Sequence, residues 1–172
     1  MNNPELTPNT AEQCAADFLT AWQNKEYDKM LSNTQITWAV MQRKTASNKR
    51  GLKGPKQVLK TTFSDIELKS WEIIETIYPE NEYGKGSTND GTFELSKDTM
   101  TDVAASVVIN ISSTGYMKLH LAGIRLPENI EDTDIKKTLL LRCLKEKAAY
   151  KPDAKGAWGV NPISIFRKVK NN

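Results

Sequence analysis

The amino-acid sequence predicts an α+β domain in which N-terminal helices pack on a strongly curved antiparallel sheet. Apolar residues recur at spacings of three and four as far as Phe63. From Ile66 onward they alternate instead, the signature of strands with one buried face. The length of 172 residues suits one buried core rather than two, so residues 10–170 read as a single domain behind a loose lead-in at 1–9.

The first helix opens at "TAEQ", where Thr10 can cap and Gln13 can reach back as a capping box. Its stripe is Cys14, Ala15, Phe18, Leu19, Ala21 and Trp22, with Glu12, Asp17 and Gln23 turned outward, and Asn24 and Lys25 end it. A second helix is expected from about Glu26 to Val40 through Tyr27, Met30, Leu31, Thr34 and Trp38. "RKTASNKRG" then has the composition of a loop. Pro55 suits a first helical position, so "PKQVLKTTF" reads as a third helix burying Val58, Leu59 and Phe63.

The strand half begins with "IELKSWEIIETIYPE", which sets Trp71, Ile73, Glu75 and Ile77 on one face. The turn-rich stretch from Asn81 to Asp102 reads as a long loop or a ragged hairpin containing "TFEL". Val103, Ala105, Val107, Ile109 and Ile111 share a face of the next strand. "YMKLHLAGIRLPE" is expected as a strand with Met117, Leu119 and Leu121 on one side and Gly123 as a bulge before Ile124 and Leu126. "KKTLLLRCLKEKAAY" fits a helix or a strand by pattern, and its β-rich neighbours favour a strand. A hairpin through "KPDAKG" leads into a final strand, "WGVNPISIFRKV".

The composition, 38% hydrophobic and 26% charged with four Trp, five Tyr and four Phe, is that of a folding globular chain. A net charge of +3 names no partner, but its distribution is uneven. Between Asp28 and Asp65 there is no acid, and eight cations from Lys29 to Lys60 leave the remainder of the chain at −5. Cys14 and Cys143 form no CxxC motif and read as small buried residues, though one disulfide between them is open. No basic segment followed by an apolar stretch opens the chain and no run reaches membrane-spanning length. The expectation is a soluble protein without a membrane span, cytoplasmic as read and extracytoplasmic if an upstream signal has been removed.

Within "AADFLTAWQNKEYDKML", the residues Phe18, Leu19, Ala21, Trp22, Tyr27, Asp28 and Met30 match an opening pattern, "xxFLxAWxxxDYDxM". With this pattern and its order of elements, the chain resembles the nuclear transport factor 2-like (cystatin-like) superfamily, and most closely its uncharacterised prokaryotic branch. The resemblance implies a cone-like sheet around a pocket with the first helix as lid, and a homodimer formed through the sheet. That superfamily hosts isomerases, dehydratases, transport factors and ligand sinks, so fold alone assigns no activity.

Catalytic signals are sparse. His120 is the only histidine and alternates with Leu119 and Leu121, which turns it away from the expected core. Glu75 with Tyr78 or Tyr116 could supply the acid and hydroxyl of a superfamily isomerase, yet no spacing singles them out. "GKGST" at Gly84 to Thr88 lacks the P-loop register, and "NIS" at Asn110 lies inside a strand. No zinc spacing, Ser-His-Asp set or internal repeat appears, and no cofactor or metal is expected.

The basic stretch from Gln42 to Lys60 carries no aromatic residue on which a base could stack, so nucleic acid is disfavoured. Arg43, Lys44, Lys49, Arg50, Lys53 and Lys56 form a candidate contact surface, otherwise a solvated face. The reading that results is a non-catalytic domain binding a small apolar ligand or a protein partner, with Phe18, Trp22, Trp38, Trp71 and Tyr78 expected to line a concave interior. One alternative is a small-molecule isomerase or dehydratase of the same superfamily. The other is an interaction module using the basic segment to contact an acidic partner.

Overall fold

The structure, a computed structural model, describes residues 10–48, 54–88, 91–121 and 130–167. Four helices come first: α1 (Ala11–Gln23), α2 (Tyr27–Ser32), α3 (Ile36–Asn48) and α4 (Pro55–Phe63). They are followed by β1 (Ile66–Ile77), a short hairpin of β2 (Lys85–Thr88) and β3 (Gly91–Glu94), and the long strand β4 (Met100–Ile111). Helix α5 (Ser113–Leu121) precedes β5 (Asp134–Ala148), β6 (Lys151–Pro152), β7 (Ala157–Val160) and the turn of helix α6 (Ser164–Arg167). The protein is thus α+β, with an open antiparallel sheet ordered β1-β4-β5-β6 and β7 also paired to β5.

The core forms where α1 lies on one sheet face. Thr10 caps α1 by accepting the Gln13 N–H at 3.1 Å, and Lys25, at φ 58°, reverses the chain after it. The α1 stripe of Cys14, Ala15, Phe18, Leu19 and Trp22 is buried against Ile66, Leu68, Val103, Ala105, Val107, Ile109, Leu139 and Leu141. Helix α4 adds Leu59 and Phe63, and the Phe63 ring meets Phe18 and Trp22 edge-on at centroid distances of 5.8 and 5.0 Å. The Trp22 indole N–H donates to the Ile66 carbonyl at 2.8 Å, which satisfies its one polar atom inside this cluster.

Four sequence expectations are corrected. The helix expected over 26–40 is two helices, because the chain between them pairs with β7: the Gln35 N–H donates to Val160 O at 2.9 Å and the Val160 N–H to Asn33 O at 2.8 Å. Helix α3 then runs on to Asn48, through the Arg43–Lys44 stretch that composition marks as loop. Close approach makes this crossing depend on Gly159, where an added Cβ would lie 2.6 Å from the Gln35 backbone.

The second correction is α5, expected as a strand. Ser112 accepts the Gly115 N–H with its hydroxyl at 3.0 Å and the Tyr116 N–H with its carbonyl at 2.8 Å, an N-cap that starts a helix at once. Leu119 alone of the expected face is buried, while Met117 and Leu121 are exposed. The expected bulge at Gly123 and the positions Ile124 and Leu126 lie outside the described residues, as does the lead-in at 1–9.

The third concerns the last strand, which stops at Val160. Asn161 Oδ1 accepts the Ile163 N–H at 3.1 Å and its carbonyl accepts the Ser164 hydroxyl at 2.7 Å, folding the chain into α6. β1 contains two bulges, at Lys69 and Ile74, so its inward residues are Ile66, Leu68, Trp71, Ile73 and Thr76 rather than a single alternating set ending at Ile77.

Candidate ligand-binding site

Residues of β4 and β5 whose side chains alternate with the core set form the floor of a cleft: Asp102, Leu140 and Arg142. One wall is the first half of α3, with Thr37, Trp38, Met41 and Gln42, and Gln35 just before it. The other is the turn after β7, with Asn161, Ile163 and Ser164. The cleft encloses about 430 Å³, within the range of small-molecule sites. Trp38 is 6% exposed, whereas Met41 and Ile163 are 48% and 44% exposed at the rim.

The polar groups of the floor are already matched to one another. Asp102 and Arg142 face each other across the β4–β5 ladder. The guanidinium donates to both Asp102 carboxylate oxygens, Nε to Oδ1 at 2.9 Å and the second amine to Oδ2 at 3.1 Å. Glu82 contacts the remaining amine. These hydrogen bonds to Asp102 hold Arg142 protonated above the ordinary arginine range, against the opposing effect of burial. The floor therefore presents a guanidinium already held by carboxylates rather than a free cation.

Helix α3 is fixed against β5 by a second buried carboxylate. Glu146, 2% exposed, accepts the Thr37 N–H at 3.1 Å and the Thr37 hydroxyl, and that hydroxyl accepts the Tyr150 N–H at 2.8 Å. A carboxylate at the first turn of a helix is also favoured by the helix dipole. The Trp38 indole N–H is buried and has no hydrogen-bond partner among the described residues.

A second cleft, of about 290 Å³, lies at the N-terminus of α1 and is lined by Glu12, Thr76, Tyr78, Lys97, Asp98, Lys145 and Trp158 among others. Glu12 is engaged there by the Thr76 hydroxyl, and the Lys145 ammonium sits 5.7 Å from the Trp158 ring centroid.

The five aromatic candidates do not converge. Phe18 and Trp22 are closed into the core, and Trp71 is half-buried against it. Trp38 lines the larger cleft and Tyr78 the smaller. Glu75 is exposed on β1, and His120 is exposed on the last turn of α5 rather than on a strand. Neither lines the two clefts. Arg43 and Lys44 are exposed on α3, and Lys56 pairs with Asp28 at 3.0 Å; Lys49, Arg50 and Lys53 lie outside the described residues.

Asp102, Arg142 and Glu146 escaped the sequence reading. The available signal was an acid at the head of an otherwise apolar strand, Asp102 before Val103, and a mixed "RCLKEK" run on β5, but only the register brings them together. Among the described residues no three His, Cys, Asp or Glu side chains gather as a metal site requires, and no helix is long and apolar enough to cross a membrane. Compared with protein-family models, curated proteins and solved structures, the chain matches none.

Proposed function

We propose that the protein is a non-catalytic binding domain of nuclear transport factor 2-like architecture, taking a small, largely apolar ligand in the cleft between α3 and β5. The observation that carries this reading is the cleft itself: an apolar body of Trp38, Met41, Leu140 and Ile163 over a floor whose one cation, Arg142, is already engaged by Asp102 and Glu82. A pocket of this composition suits a neutral ligand, since burying an unpaired charge there would cost far more than it returns.

The isomerase or dehydratase alternative needs an acid and a hydroxyl aimed at one reacting atom. Glu75 has no place in either cleft, and Glu12, which shares the smaller one with Tyr78, is held by Thr76. Binding is therefore favoured over chemistry.

Titration with the neutral fluorophore N-phenyl-1-naphthylamine tests the reading. Saturable binding is expected, weakened about tenfold or more by Met41→Asp and Ile163→Asp, two rim positions where a charge enters the cleft without disturbing the core. Binding that is absent, or indifferent to both substitutions, would exclude this cleft as the site.

A further inference from the structure

We infer that the free edge of β1 is a docking site for a short, basic, extended segment of a partner protein, which joins the sheet as an additional strand. The inference is independent of the ligand cleft.

β1 terminates the sheet, with β4 on one side only. Near its start, side chains of α1 occupy the backbone: Trp22 Nε1 donates to Ile66 O and Gln23 Nε2 to Lys69 O, each at 2.8 Å. From Ser70 to Ile77 no backbone group bonds to anything beyond the β4 ladder among the described residues. Unpaired edges of this kind are templates for strand addition, and proteins usually blunt them with charged side chains, above all lysine, with proline, with bulges or with a covering element. From Ser70 to Ile77 there is no lysine or proline and, among the described residues, no covering strand; the blunting present is the bulge at Ile74 and the charges of Glu72 and Glu75.

The side chains specify the occupant. Glu72, Glu75 and Glu80 are exposed and form no ion pair among the described residues, whereas Glu67 is answered by Lys69 at 3.6 Å. Beside them Ile74 is 54% exposed on its bulge and Tyr78 is 51% exposed, giving two apolar anchors in an acidic strip. A second copy of this chain brings the same acidic strip to the edge and offers it no cation between Ser70 and Ile77. An antiparallel register that sets Ile73 and Ile74 of two copies against each other also sets Glu72 opposite Glu75, a like-charge pair. A lysine- or arginine-bearing strand instead meets a carboxylate at these positions. The bulges at Lys69 and Ile74 break the regular edge, so the docked segment is short, on the order of five residues.

The probe is a fluorescein-labelled peptide of about ten alternating Lys and Val residues, mixed with the full chain at low salt. Expected are saturable anisotropy, backbone amide shifts from Ser70 to Tyr78, and a loss of about tenfold or more with the Glu72→Lys/Glu75→Lys pair. A peptide N-methylated at alternate residues keeps every charge and loses strand pairing, so its affinity should fall by a similar factor. The exposed Glu72→Gln/Glu75→Gln pair, matched in shape, should fall between wild type and the charge reversal.

Undiminished binding of the N-methylated peptide would reduce the contact to charge alone and overturn the proposal. So would indifference to the glutamate substitutions, shifts confined to other elements, or no binding at all. Sedimentation showing a dimer that Ile74→Lys abolishes would give the edge to a second copy and overturn it equally.

Discussion

Arg142 is the residue on which the cleft floor depends. Replacing it by alanine strands Asp102, which is 2% exposed, so Arg142→Ala should lose about 3 kcal/mol of unfolding free energy in urea denaturation. Glu82 is a lesser partner with a side chain 43% exposed, and Glu82→Ala should lose under about 1 kcal/mol. Equal losses would mean that the exposed contact carries as much as the buried one. Cys143 offers a pH test. The Cys14 thiol and complete burial push Cys143 well above its usual value of 9.0. The unfolded chain therefore releases this proton at lower pH than the folded one, and stability present below pH 9 is lost as pH rises beyond it. The wild type should lose up to about 1.4 kcal/mol per pH unit more than Cys143→Ala over that alkaline range. Both thiols are buried and free, so a disulfide reagent should modify neither until the chain unfolds.

Among elements, the crossing between α2, α3 and β7 is the most demanding. Gly159→Ala would push a methyl group into the Gln35 backbone, and a loss of about 1–3 kcal/mol is expected by thermal or urea unfolding. Ser112→Ala removes the cap of α5 and should lose about 1 kcal/mol, read as greater amide exchange from Ser113 to Leu121. These two places are also where the sequence is least legible. The break between α2 and α3 is imposed by Val160, more than a hundred residues away, and no local propensity announces it. In α5, "KLHL" satisfies an alternating pattern and a helical one alike, and the serine cap decides the outcome. By contrast α1, α4 and β4 are legible because each carries a full period of apolar residues on one face. The site was less legible than the fold. Trp38 stood out as an aromatic, whereas the Asp102–Arg142 pair exists only through strand register.

For the molecule as a whole, α1 fills one face of the sheet and leaves the larger described cleft on the other, between α3 and β5. Binding and folding should separate accordingly: Phe18→Ala should lose about 3–5 kcal/mol of stability through the core, whereas Met41→Asp and Ile163→Asp should alter ligand affinity at nearly unchanged stability. The most direct measurement is backbone amide shift mapping during titration with N-phenyl-1-naphthylamine. The account predicts perturbations clustered at Gln35–Gln42, Leu140–Arg142 and Asn161–Ser164, the three stretches that surround the cleft. Shifts centred instead on Glu12, Thr76, Tyr78 and Lys145 would place the ligand at the α1 N-terminus and contradict it.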